Sequence, residues 1–235
     1  MTLYFIRVAP TWLLLMAMIG GCGNQTSSQS DDGVTLIKDR HTDLPARVVY
    51  RIDDYRFVSL ENYDKCYGDV YYNDTQKYIH TKVFESDPVH YRGRLIIDDP
   101  TGMNIVIPEN TGSCSDRGCP SLATYSTDGG QTFAWIHYRE HGFELSKDSE
   151  SDTIAVTKDR FYVKERWGAN DAYVSEYPLI PRIDLKKPYP PGVRGSSFAE
   201  SDRPRFLDGL HTPSGDDHFT CDESIRPSNL PQKKP

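Results

Sequence analysis

From Ala46 to Pro178 apolar and polar residues alternate with a period near two, and turn residues interrupt the alternation roughly every eight to twelve positions. Side chains of a strand point alternately to opposite faces, so this spacing argues for half-buried strands, and helix signals are weak throughout. The strands expected are Arg47 to Ile52, Arg56 to Leu60, Asp69 to Tyr72, Tyr78 to Phe84, Arg94 to Ile97, Asn104 to Ile107, Leu122 to Ser126, Thr132 to Tyr138, Thr153 to Thr157, Phe161 to Lys164 and Ala172 to Tyr177. Fifteen tyrosines, many of them inside these runs, suit a pleated surface. Three turns join consecutive runs by recognisable chemistry: Asp99-Pro100-Thr101-Gly102, Asp128-Gly129-Gly130 and Lys158-Asp159. The chain therefore reads as all-β, an antiparallel hairpin meander of propeller-like or sandwich type. About 135 residues of strand pattern are too few for a six-bladed propeller, and no exact internal repeat is present.

Residues 179–235 differ in kind. They hold nine of the sixteen prolines, including Pro190-Pro191, and no sustained periodicity. Phe198, Phe206, Leu210, Phe219 and Cys221 nevertheless give this stretch apolar anchors, so it is expected to be a long irregular arm packed on the β domain, fraying at its end.

At the other end, Arg7 precedes an apolar stretch from Val8 to Ile19 that is too short to span a bilayer comfortably, and residues 1–21 read as a removable signal peptide. Ile19-Gly20-Gly21-Cys22 is similar to a bacterial lipobox, which makes Cys22 the expected lipidation site. Residues 22–45 then form the lipidated N-terminus and a flexible tether, since Gly23 to Gly33 is too rich in Ser, Gln, Asn and Asp to bury apolar surface. Gly23 after the cysteine, rather than Asp, favours sorting to the outer membrane by analogy with enterobacterial lipoproteins. The expected location is the cell envelope, facing the periplasm. Removing the leader takes only Arg7 from the 27 basic residues, so 26 face 34 acidic ones and the net charge is −8. That balance argues against nucleic acid or an anionic lipid surface as partner; it suits a basic protein and equally serves solubility.

Lipidation of Cys22 leaves Cys66, Cys114, Cys119 and Cys221, an even number that implies two disulfides in an oxidising compartment. Of the three pairings, Cys114 with Cys119 is favoured by the short polar loop between them, leaving Cys66 for Cys221. A four-thiolate zinc site is the rival, but paired CxxC spacing is absent.

Several motifs invite a catalytic reading. Ser126-Thr127-Asp128-Gly129-Gly130-Gln131-Thr132-Phe133 is similar to an Asp-box, the hairpin of sialidases and other propellers; Ser126, Asp128, Gly130, Thr132 and Phe133 are read as a structural turn, because one box supplies no active site. His137-Tyr138-Arg139-Glu140-His141 matches the HxxEH string of inverted zinc peptidases, which requires both imidazoles on one helical face; here the string follows a predicted strand. His211, Asp216, Asp217, His218 and Asp222 gather in the arm among turn residues, and the pairs Asp53-Asp54 and Asp98-Asp99 fall at strand ends, where turn formation accounts for them. No catalytic residue, cofactor or metal ligand is assigned. An envelope hydrolase (glycosidase or HxxEH metallopeptidase) and a structural envelope lipoprotein are the alternatives.

The blocks Arg94-Leu-Ile-Ile-Asp-Asp-Pro-Thr-Gly-Met-Asn-Ile-Val-Ile-Pro108, Tyr125-Ser-Thr-Asp-Gly-Gly-Gln-Thr-Phe133, Lys187-Pro-Tyr-Pro-Pro-Gly-Val-Arg-Gly195 and Phe219-Thr-Cys-Asp-Glu-Ser-Ile-Arg-Pro227 resemble the Tli3-like immunity lipoproteins of type VI secretion lipase effectors. The resemblance implies a non-enzymatic binder that captures a cognate phospholipase. It rests on whole strings, so it assigns no functional residue beyond the lipobox Cys22. Loops Glu109 to Arg117 and Glu140 to Ser151 are the expected contact regions.

Overall fold

The computed structural model describes residues 41–110, 115–116, 118–142, 144–167 and 171–230. The expected leader, Cys22, most of the expected tether, Cys114 and Arg117 lie outside the described residues.

Among the described residues, twelve strands form three sheets. In the first, β1 (Arg47–Arg51), β2 (Arg56–Asp64), β3 (Tyr67–Asp74) and β4 (Ile79–Ser86) run up and down in sequence order, every pair antiparallel. A register shift in β1 between Val48 and Tyr50 lets the neighbours Val49 and Tyr50 both face inward, where strict alternation would expose one of them. The chain continues through a 3-10 turn at Pro88–His90, capped by the Asp87 carboxylate, to β5 (Arg94–Ile97). Next come β6 (Ile105–Asn110), β7 (Cys119–Ser126) and β8 (Ala134–Gly142), which form the second, antiparallel sheet. A short helix, α1 (Leu145–Ser149), leads to β9 (Thr153–Val156), β10 (Arg160–Trp167) and β11 (Asp171–Pro178). With β12 (Ser196–Ala199) and β5 these make the third sheet, ordered β12-β11-β10-β9-β5.

Each strand expected from the alternation is present, and the turns at Asp128-Gly130 and Lys158-Asp159 do join antiparallel neighbours. The third expected hairpin is corrected. β5 and β6 do not pair: β5 runs parallel to β9, and β6 pairs with β7. Leu95, Ile96 and Ile97, like Ile105, Val106 and Ile107, are buried on both faces. A continuous apolar run of this kind says that a strand is interior without saying which neighbour it takes, and the turn between such runs fixes only the local chain direction. Helix α1 and strand β12 are additions that the alternation does not announce. β12 is four residues long and sits in the proline-rich arm, where pairing with β11 rather than intrinsic propensity orders it.

One core serves all three sheets. Ile52, Leu60 and Tyr72 of the first sheet and its turns share it with Ile105, Ile107 and Ala123 of the second and with Ile97, Ile154 and Phe161 of the third. Burying each aliphatic side chain is worth about 1.5–3 kcal/mol.

The arm closes two sheet edges. Along the open side of β1, Thr220 N donates to Val49 O (2.8 Å), Ser214 N donates to Ile52 O (3.0 Å), and the Arg51 amide donates to the Asp216 carboxylate (2.9 Å). On β5 the Leu95 amide donates to Asp217 O (2.8 Å) and the Ile97 amide to Thr212 Oγ1 (3.2 Å). Residues 212–220 thus run between the first and third sheets, satisfying backbone groups that would otherwise template another chain. Tyr50 is the hub of this seam: its hydroxyl donates to Leu95 O at 2.8 Å and lies 2.7 Å from Thr212 Oγ1, and burial pushes its phenol above the ordinary range. A disulfide joins Cys66 to Cys221, and Arg226 grips Asp64 through two hydrogen bonds of 2.9 and 2.8 Å beside it. Cys119 is disulfide-bonded as well; its expected partner, Cys114, lies outside the described residues.

Candidate protein-interaction surface

The Asp-box folds as a self-contained hydrogen-bonded turn. Ser126 Oγ donates to the Asp128 carboxylate (2.7 Å) and accepts from Gly130 N (2.9 Å), while Thr132 donates to Asp128 through both its amide (3.0 Å) and its hydroxyl (2.6 Å). Partial burial opposes ionisation of Asp128, but the Thr132 and Ser126 hydrogen bonds outweigh it and hold the carboxyl below the usual range. Gly130 has φ +88°, and a Cβ there would lie 2.1 Å from a ring carbon of buried Tyr72. Phe133 meets that same ring edge to face, with centroids 6.0 Å apart. Every member of the box is occupied in shaping the turn.

That turn is one of four that meet at a single end of the molecule. In the β1–β2 turn, Asp53 accepts from the Tyr55 and Arg56 amides and from Arg56 Nε. Tyr55 O in turn accepts from Thr75 N (3.1 Å) in the β3–β4 turn. Buried Asp99 organises the β5–β6 loop by accepting from Thr101, Met103 and Asn104. Gly129 of the Asp-box then donates to Met103 O (2.9 Å). One carboxylate of each pair singled out by the sequence, Asp53 and Asp99, is therefore a turn-former, and the turns they shape belong to a braced platform. On it stand Tyr78, 95% exposed, Tyr55, 45% exposed, and Met103, 42% exposed, with the Lys77 ammonium beside Gly102 and Gly129.

Tyr78 departs from the alternation, which places it at the start of a strand. β4 begins one residue later, and Tyr78 ends the four-residue turn with φ +56°, after Asp74 has accepted from the Gln76 and Lys77 amides. Hairpins ordinarily put glycine or asparagine in that left-handed position, and a bulky residue there costs on the order of 1 kcal/mol. Strain of this sort concentrates where a side chain is held for use.

A second exposed patch lies on β8, the edge strand of its sheet. Trp135 is 46% exposed, but the Lys186 ammonium sits 3.0 Å from its ring centroid and the His137 ring lies 5.1 Å away, so the indole already has partners. The HxxEH string lies wholly within this strand, which sets His137 and His141 along an extended chain instead of on one helical face; His137 pairs with Glu140 at 3.3 Å. Behind it, Arg139 of the same string bridges to the buried Asp152 (2.7 and 2.8 Å) and to Glu165 (3.0 Å). Burial pushes the Asp152 carboxyl up to about 6 against the pull of that guanidinium.

In the arm the polar residues do not converge: Asp216 holds the Arg51 amide, Asp217 pairs with His218, Asp222 accepts from Ser224, and His211 approaches Gly209 O. Among the described residues no three His, Cys, Asp or Glu side chains are grouped to hold a metal ion. Of the loops expected to make contacts, Glu109 to Arg117 falls largely outside the described residues; burial pushes the Glu109 carboxyl at its start up to about 7. Glu140 to Ser151 contains α1, whose last residue, Ser149, is fully buried and donates to His90 O, so part of that loop is structural.

A family model described as the T6SS Tli3 immunity protein matches residues 42–165, just over half of the 235-residue chain. The chain belongs to the T6SS Tli3 immunity protein family. No curated protein matches it. The Tli3 match begins before β1 and ends within β10, so it contains all four turns of the platform and leaves out the arm with Lys186 and Cys221. Membership in a type VI secretion immunity family implies a cognate effector protein as partner.

Proposed function

We propose that this Tli3 family member is a lipoprotein, anchored through Cys22 in the outer membrane and facing the periplasm, that binds and neutralises a type VI secreted lipase. The family match carries the immunity part of this reading. The leader ending Ile19-Gly20-Gly21-Cys22 supports export and lipidation, Gly23 after the cysteine supports the outer membrane, and the Cys66–Cys221 disulfide suits an oxidising compartment. The lipase follows from the resemblance of the four sequence blocks. A tether would station the inhibitor at the lipid surface that such an enzyme attacks.

The test is co-expression with a lipase encoded beside it, routed to the periplasm. Restored growth and a complex on pull-down are expected; absence of both defeats the reading. Cys22→Ala is expected to weaken protection without weakening the complex, and equal protection would show that the anchor is dispensable.

A further inference from the structure

We infer that the four-turn platform, with the exposed Tyr78 on its β3–β4 turn, is the surface that enters the effector. The inference rests on the immunity reading and not on the effector being a lipase.

Three observations converge on it. Tyr78 is 95% exposed and held at φ +56°, a backbone conformation that glycine would adopt freely, so the side chain is kept at a cost in the free protein. Its surroundings are braced: Thr75 N donates to Tyr55 O, Arg56 Nη1 to Asp99 O and Gly129 N to Met103 O, which ties the four turns together, so little ordering remains to be done on binding. The exposed residues are two tyrosines, a methionine and a lysine; Tyr carries large contact area with few rotatable bonds, and Tyr and Met are among the types enriched at interface centres.

The rival patch on β8 has no strained backbone to explain, and its Trp135 is already engaged by Lys186 and His137. All four turns, moreover, lie inside residues 42–165, the part shared with the immunity family, whereas Lys186 does not. A projecting phenol needs a concave partner. The matching site on the effector is an apolar pocket deep enough for the Tyr78 ring, with a carboxylate or carbonyl at its rim for the hydroxyl and for Lys77 Nζ.

The experiment takes as effector whichever periplasm-routed type VI toxin from the same genome the protein relieves in co-expression, used in catalytically inactive form. Its affinity for the mature wild-type chain, Tyr78→Gly, Tyr78→Ala and Trp135→Ala is measured by calorimetry, with thermal unfolding alongside. Tyr78→Gly is expected to weaken binding by roughly 30-fold or more while its unfolding midpoint stays equal or rises, because glycine accepts the positive φ. Trp135→Ala is expected to stay within about 3-fold. Retained affinity in both Tyr78 variants overturns the inference. So does a Tyr78 effect confined to self-association on light scattering or to liposome co-sedimentation, which would assign the platform to a second copy or to a membrane. If the relieved toxin is not a lipase, the proposed substrate class fails while the platform is still tested; if no toxin is relieved, both fall.

Discussion

Gly130 shows how much a single position in the Asp-box decides. Its φ of +88° is one penalty for any side chain, and the Tyr72 ring carbon at 2.1 Å from an added Cβ is another, because that ring is buried and has nowhere to retreat. Gly130→Ala should therefore destabilise the protein by about 2–4 kcal/mol, combining left-handed strain with overpacking. Urea unfolding with an unchanged slope and a lower midpoint would bear this out, and a loss under about 0.5 kcal/mol would show that the turn relaxes freely. The Asp-box is legible in the sequence because its hydrogen bonds run between residues two to four positions apart. Tyr78 is not. Aromatic residues favour strands, and nothing in the string Lys77-Tyr78-Ile79 distinguishes a first strand residue from a left-handed turn residue whose ring faces solvent.

Between elements, the decisive contact is Arg139 of β8 reaching Asp152, before β9, and Glu165 on β10, because it fastens the second sheet to the third. The Asp152 side chain is fully buried, so removing the guanidinium strands a charge. Arg139→Ala is expected to cost about 3–5 kcal/mol at pH 7. In the folded protein the Asp152 pKa already stands at about 6, above the ordinary 3.8, so the native state binds a proton that the unfolded chain has released, and stability falls as pH rises through that window. Without Arg139 the carboxyl rises further, and the deficit of the variant should shrink between about pH 7 and about pH 4.5. Denaturant midpoints at the two pH values measure this, and a deficit independent of pH would remove Asp152 from the explanation. The strands that meet here are readable from alternation, as are the hairpins β7–β8 and β9–β10, since both signals are local. The parallel pairing of β5 with β9 joins residues far apart in the chain and rests on packing of fully apolar runs, which leave no mark of their partner.

For the molecule as a whole, the arm ties the edge of the first sheet to the edge of the third. It lacks the periodicity by which its contacts could be foreseen, because they are made edge-on by backbone groups, yet its cysteine and its scattered aromatic anchors show that it is tied down. Residues 212–220 bond to β1 on one side and β5 on the other, and the disulfide to Cys66 fixes the far end across a separation of 155 residues. A loop of that length loses much conformational freedom in the unfolded chain when closed, by the chain-entropy account about 4–5 kcal/mol. The double variant Cys66→Ser, Cys221→Ser should be destabilised by that order, and it should also be nicked by protease near the end of the arm before the sheets are touched, since the hold left beside Cys221 is hydrogen bonds, the buried Phe219 and the Arg94–Asp217 and Arg226–Asp64 pairs. Limited proteolysis followed by mass spectrometry, set beside urea unfolding, separates the two effects. Cleavage that starts in the sheets instead would mean that the arm is secured by its backbone pairing with β1 and β5, and that the disulfide acts only on the unfolded state.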